Sequence, residues 1–176
     1  VTDKTFANLD SEADLNNNYM TFYASGWVGI PAERLYSIGN IYYVPNGDEY
    51  VATKVRYGLT NALADVVDQA VRIDLFEWVD ANNSWSAQPE ERTRVGTNFQ
   101  VITSDIPNLR KIESDIWATD EDGFAIEGER VKLKDDTHYV IVVSVTPNSP
   151  ETDPQMQLLG YTPRALTNYE RSIGAM

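Results

Sequence analysis

The stretch HYVIVVSVT, from His138 to Thr146, decides the fold of this chain. It is an almost unbroken run of β-branched and aromatic residues, which suits a central strand buried on both faces or nearly so. Three prolines follow within residues 147–154. They end the strand, because proline has no N–H to donate to a sheet. We therefore expect the rest of the chain to fold around a strand over 138–146.

Alternating apolar and polar residues predict further strands on either side of this run. Their ranges are 19–29, 35–44, 51–59, 71–79, 99–103, 112–117, 124–133 and 156–161. The strand over 71–79 is expected to have a bulge near Phe76. The pair Asn46-Gly47 predicts a hairpin turn between its neighbouring strands, because glycine supplies positive φ at low cost. Helical spacing occurs only over 60–69, which is too short for a stable helix and favours a loop turn.

The apolar positions of these strands predict one shared core. The face of 51–59 is expected to pack against that of 138–146; the residues concerned are Val51, Val55, Tyr57, Leu59, Tyr139, Ile141, Val143 and Val145. Many short strands without βαβ alternation favour an all-β fold, a two-sheet antiparallel β-sandwich of jelly-roll type with extended terminal arms. The expected organisation is an N-terminal arm over 1–18, a β-sandwich domain over 19–161 and a C-terminal arm over 162–176.

Charge and cysteine content exclude several classes of function. The 27 acidic and 14 basic residues give a formal charge of −13, which repels nucleic acid and anionic membrane surfaces. No apolar run approaches the roughly 20 residues that span a bilayer, so no membrane insertion is expected. The absence of cysteine excludes disulfides and thiolate chemistry. The acidic excess has two interpretations, which are solubility and recruitment of calcium by acidic loops.

The order of strand motifs resembles a known family. Four motifs follow one another along the chain: IYYVPNGDEYVATKVRYGLTNA from Ile41, VRIDLFEWVD from Val71, FQVITSDIPN from Phe99 and VKLKDDTHYVIVVSVTP from Val131. This pattern resembles the jelly-roll modules of large secreted and surface proteins of gliding-type bacteria, over roughly residues 41–146. The resemblance implies a jelly-roll fold and an extracellular or cell-surface location. The resemblance is based on the order and spacing of strand and turn motifs, and it implies no catalytic residues.

The sequence offers no catalytic constellation, so we expect a protein that is not an enzyme. His138 is the single histidine and lies beside Asp135 and Asp136, but no G-x-S-x-G motif supplies a nucleophile for it. A position at the rim of a strand is the simpler interpretation. Carboxylates that are adjacent in a turn cannot face each other across a cleft as a glycosidase requires.

Calcium is the one cofactor that the sequence suggests. Asp120 and Asp122 lie in the motif Asp-Glu-Asp-Gly, and a hard cation takes several oxygens from a single loop. The motif does not match an EF-hand, and a solvated turn without metal is the alternative.

Two further groups of residues suggest binding. Trp85 lies in a polar loop and is the candidate for stacking on a glycan, because aromatic rings form flat apolar platforms. The terminal arms combine apolar anchors with arginine, a composition typical of interfaces; the candidates for assembly are Phe6, Leu9, Arg164, Leu166, Tyr169, Arg171 and Ile173. Ordinary, loosely packed termini are the alternative.

The expected function is therefore that of a non-catalytic extracellular structural or adhesive module. It would act through contacts with other protein chains, copies of itself included, and through self-assembly. A carbohydrate-binding module of a secreted protein is the alternative. A row of Tyr and Trp on one sheet face would favour glycan binding, whereas burial of most of them would favour the structural module.

Overall fold

The computed structural model of the protein describes residues 21–23, 36–47, 50–59, 62–83, 88–145 and 157–159. The described elements, in chain order, are β1 Thr21–Tyr23, β2 Tyr36–Val44, β3 Tyr50–Ala52, β4 Lys54–Tyr57, α1 Leu63–Val66, β5 Ala70–Trp78, β6 Arg92–Val101, β7 Ile112–Asp115, β8 Trp117–Ala118, β9 Val131–Leu133, β10 Thr137–Val145 and β11 Gln157–Leu159. The described part is thus all-β, and its two helical segments are short. One is α1, a single turn inside the range where the sequence predicted a loop turn, and the other is a 3-10 turn over Pro89–Glu91.

Every strand pair within the described residues is antiparallel. The largest sheet has five strands in the order β2-β10-β5-β6-β8. Three two-stranded sheets, β1-β11, β3-β9 and β4-β7, complete the described part. The antiparallel all-β class predicted from the sequence is confirmed.

Strand β10 occupies the interior of the large sheet, between β2 and β5. On one face, Tyr139 and Val143 belong to the main hydrophobic core. On the other face, Val140 and Val142 form a second buried cluster, which includes Trp78 of β5. Burial on both faces explains why this segment has apolar residues at successive positions, as the sequence predicted.

The main core joins the large sheet to the β3-β9 and β4-β7 sheets. Val71, Ile73 and Leu75 of β5 share one buried cluster with Val55 and Tyr57 of β4. Residues of β7 and β9 belong to the same cluster, namely Ile112 and Val131. Burying each such side chain contributes about 1.5–3 kcal/mol, so this shared core holds the sheets together.

Two expectations about residues 35–59 are wrong. Asn46 and Gly47 do form a turn, with Gly47 at φ 85°, but β2 pairs with β10 and β3 pairs with β9, so no hairpin forms. Val51 is also half exposed instead of buried. The reason is a change of phase at Thr53, between β3 and β4: Tyr50 and Ala52 pack on the core before it, and Val55 and Tyr57 after it.

The structure also refines the expectations for strands β5 and β6. The register of β5 and β6 shifts between Leu75 and Phe76, at the predicted position, but the extra residue is Val95 on β6 and not a residue of β5. Strand β6 begins at Arg92 and not near residue 99. Its first half was missed because it alternates arginine with polar or small residues and has little apolar content.

Candidate interaction surface

A buried carboxylate on β5 organises one face of the β5-β6 pair, next to the buried cluster around Trp78. Asp74 is buried, and its Oδ1 accepts a hydrogen bond from Thr97 Oγ1 at 2.8 Å. Arg72 Nε lies 2.8 Å from Asp74 Oδ2, and Arg94 Nε lies 3.2 Å from Asp74 Oδ1. Neither Nε–H is aligned for a hydrogen bond, so both contacts are ion pairs without ideal geometry.

The same arginines lie over aromatic rings. Arg92 and Arg94 approach the ring of Phe76 at 5.2 and 5.8 Å, and Arg72 approaches the ring of Phe99 at 5.6 Å. A guanidinium within about 6 Å of a ring centroid is attracted by the ring quadrupole. We call these residues the arginine–aromatic face: Arg72, Asp74, Phe76, Arg92, Arg94, Thr97 and Phe99.

The local backbone explains why these side chains meet. Arg72 and Asp74 are two residues apart on β5, so they project from the same face of the sheet. Arg72 is the register partner of Phe99, and Phe76 is the partner of Arg94. The bulge at Leu75/Phe76 inserts one extra residue in β6 and so places Arg92 and Arg94 on the side of Phe76.

A fourth stacked arginine lies at the edge of the sheet. Arg130 lies 3.9 Å above the ring of Trp117 in β8, and Trp117 is the register partner of Thr97. Arg130 also donates hydrogen bonds to Asp115 Oδ1 at 2.8 Å and to the Thr53 carbonyl at 2.7 Å. These bonds satisfy most of its donors, so Arg130 fastens the edge of the sheet.

The arginine–aromatic face combines positive charge with exposed apolar area. It has three guanidiniums and one carboxylate, in a chain whose formal charge is −13. Phe99 is 64% exposed and Val101, two residues further on the same strand face, is 48% exposed. A positive, partly apolar surface on an acidic protein is a candidate for recognising a partner.

The Asp120–Gly123 turn borders this face. The Gly123 carbonyl accepts a hydrogen bond from Arg94 Nη1 at 3.5 Å. Asp120 Oδ1 accepts hydrogen bonds from the backbone N–H groups of Asp122 and Phe124, at 3.0 and 2.8 Å. The carboxylate of Asp120 therefore closes the turn, and the positive φ of Gly123 completes it.

The structure places the two predicted calcium ligands, Asp120 and Asp122, in this one turn. No group of three or more His, Asp or Glu side chains that could hold a metal occurs within the described ranges. The Asp120 carboxylate already has two backbone donors, which gives the motif a structural role. Calcium binding stays a prediction.

His138 lies between aromatic rings at the rim of β10. Its ring centroid is 4.8 Å from that of Tyr43 and 5.7 Å from that of Trp78. Burial lowers the pKa of His138 below its ordinary value of 6.5, against the opposing effect of Asp136 and Asp80. The ring is thus packed as an aromatic neighbour, which agrees with its expected position at a strand rim.

The other predicted site residues lie outside the described part of the chain. These are Trp85 and the assembly candidates Phe6, Leu9, Arg164, Leu166, Tyr169, Arg171 and Ile173. Conversely, Arg72, Arg92 and Arg94 were not predicted from the sequence as site residues. The available signal was the spacing of two in Arg72-Ile73-Asp74 and in Arg92-Thr93-Arg94, which puts each pair on one face of a strand.

Comparison of the chain with protein-family models, with curated proteins and with solved structures finds no match in any of the three. None of the helices in the described residues has the length and apolar character needed to cross a membrane.

Proposed function

We propose that this chain is a non-catalytic extracellular module that acts through protein–protein contacts, with the arginine–aromatic face as its contact surface. Its fold would be a two-sheet β-sandwich of jelly-roll type. The core shared by the five-stranded sheet with β4, β7 and β9 supports a sandwich, because two layers must close on one core.

One observation supports this function above all. Three arginines lie over phenylalanine rings on one sheet face, and Phe99 is largely exposed beside them. Arginine and aromatic residues are enriched in the centres of protein interfaces, where rigid rings and planar guanidiniums bury area at low entropic cost. Asp74 fixes two of these guanidiniums in place, so little order has to be gained on binding.

The placement of the described Tyr and Trp residues favours protein contacts over glycan binding. Trp78, Tyr57 and Tyr139 are buried, and Arg130 covers one face of the Trp117 ring. The exposed rings on the described surface are Phe99 and Phe124, which have no polar rim for the hydroxyls of a sugar. Tyr42, Tyr43 and Tyr50 are half-buried, so the carbohydrate-binding alternative depends on these rings and on aromatic residues outside the described part, such as Trp85.

The proposal is tested by measuring self-association of the full chain together with glycan binding. Sedimentation velocity over a range of concentrations is run on the wild type, on Phe99→Ser and on Val51→Ser. Val51 is the matched control, because it is also an exposed apolar strand residue, 51% exposed, and points away from the core on β3. Phe99→Ser is expected to weaken association, and Val51→Ser is expected to leave it unchanged.

Binding to neutral and acidic oligosaccharides is measured by calorimetry on the same three proteins. A chain that stays monomeric at every concentration and binds a sugar saturably would replace the proposed function by the carbohydrate-binding alternative.

A further inference from the structure

We infer that the arginine–aromatic face docks a second copy of this chain in a two-fold contact, in which the Asp120–Gly123 turn of each copy lies on the face of the other. This inference rests on the proposed function and specifies its partner. It is motivated by a positive surface and an acidic turn that lie side by side on one chain without neutralising each other.

The acidic turn presents two unused carboxylates. Asp120 closes the turn through its hydrogen bonds to Asp122 and Phe124, whereas the exposed side chains of Glu121 and Asp122 form no ion pair with a described residue. The backbone hydrogen bonds of Asp120 and Phe124 hold the turn in one conformation. The two carboxylates are therefore displayed on a fixed scaffold.

The face presents unused donors. Arg92 donates through Nε to the Gln88 carbonyl, and no described carboxylate contacts its Nη groups. The Nη groups of Arg72 are likewise without a hydrogen bond to a described residue, because its ion pair with Asp74 uses Nε. Planar guanidiniums that are fixed over rings favour bidentate recognition of carboxylates.

The relative position of turn and face favours a reciprocal contact. The turn touches Arg94 at the border of the face, so a two-fold axis near this border would place each turn on the face of the other copy. In such a two-fold contact, each ion pair between turn and face forms twice, once on each copy. It also brings together exposed apolar side chains from both regions, which are Phe99 on the face and Phe124 and Ile126 after the turn.

Local complementarity is needed because two bodies of charge −13 repel each other. The contact pairs a surface with three guanidiniums and one carboxylate with an acidic turn of the same chain. A purely apolar contact would leave that repulsion uncompensated, and a contact between two acidic surfaces would increase it.

The test is a charge swap read by sedimentation velocity and light scattering on the full chain. The face variant is Arg92→Glu/Phe99→Glu, which leaves the Asp74 ion pairs intact. The turn variant is Glu121→Lys/Asp122→Lys. The control is Val51→Glu/Lys54→Glu, which changes the net charge as the face variant does but lies on β3 and β4. Circular dichroism and melting curves verify that each variant is folded.

We expect the wild type and the control to dimerise with similar dissociation constants. Each charge variant alone should dimerise at least about tenfold more weakly, since like charges then meet at both contacts. An equimolar mixture of the two variants should dimerise again, because each face then meets a turn of opposite charge.

Three results would overturn the inference. A mixture that stays as weakly associated as its components would exclude the exchange of turn and face. Unchanged dimerisation of both variants would place the contact elsewhere, while leaving protein contacts as the function. A wild-type chain that is monomeric at every concentration would also refute the dimer, and the glycan measurement then decides separately whether the proposed function fails.

Discussion

The buried carboxylate of Asp74 provides the sharpest test of how the arginine–aromatic face is held. Asp74→Asn keeps the shape of the side chain and removes its charge. Two ion pairs, at 2.8 and 3.2 Å, then lose their carboxylate. Removing one partner of a buried ion pair typically costs 3–5 kcal/mol, and we expect about 3 kcal/mol here. The lower end applies because the side chains of Arg72 and Arg94 keep 27% and 34% of their exposure to water.

The free energy of unfolding is measured by urea denaturation, followed by tryptophan fluorescence. A loss of about 3 kcal/mol corresponds to a fall in Tm of roughly 6–12 °C for a domain of this size. The control is the triple variant Arg72→Met/Asp74→Leu/Arg94→Met, which removes the whole network. It should stay within about 1 kcal/mol of the wild type, because apolar replacement of a complete buried network is often neutral. An Asp74→Asn variant as stable as the wild type would show that the ion pairs do not hold the face.

Three further predictions concern the core, a close backbone approach and the acidic turn. Burial raises the pKa of Tyr57 from 10.0 to about 12, with partial compensation by Ser114, so the folded state holds this proton more tightly than the unfolded state. Its contribution to stability is complete below pH 10.0 and is lost as the pH rises towards 12, by about 2 kcal/mol. Tyr57→Phe should remove the loss of stability at high pH. At neutral pH the variant should be as stable as the wild type, because the buried hydroxyl makes no well-formed hydrogen bond. Parallel profiles of unfolding free energy against pH for variant and wild type would contradict the assignment of this loss to Tyr57. Gly96→Ala should cost about 1–3 kcal/mol, since its Cβ would lie 2.7 Å from Val131 Cγ2, and a loss below about 0.5 kcal/mol would show that Val131 moves aside freely. If calcium binds at Asp120 and Asp122, a chelator should lower Tm relative to excess calcium, and identical melting curves in both would end that expectation.

Local sequence patterns were sufficient to predict some of the elements, although they missed the first half of β6 and extended β9 back to residue 124. The run around Val140 predicted a strand buried on both faces, and the alternation ending at Phe76 predicted a strand with a bulge. The buried strand is confirmed, because side-chain period and β-branched content act within one segment. The irregularity near Phe76 is present, but its extra residue lies on β6. The all-β antiparallel class follows from the same local signals summed along the chain.

Local sequence patterns gave wrong predictions of strand pairing and of the buried face where these depended on strands far apart in the sequence. The turn at Asn46-Gly47 predicted a hairpin, yet the strand before it pairs with β10. Alternation through Val51 predicted a buried face, but the phase changes at Thr53 where β3 ends and β4 begins. A turn sequence sets the direction of the chain over a few residues, whereas pairing is decided by the burial that the whole sheet gains.

The candidate interaction surface shows the same division. The sequence by itself determined that Arg72 and Asp74 lie on one face of a strand, because their spacing is two. Only the tertiary structure decided that Arg94, twenty residues after Asp74, reaches the same carboxylate, and that Phe76 and Phe99 lie beneath the guanidiniums. The physical reason is that these contacts depend on the register of β5 against β6 and on the bulge that resets it, and register is fixed by packing across the sheet.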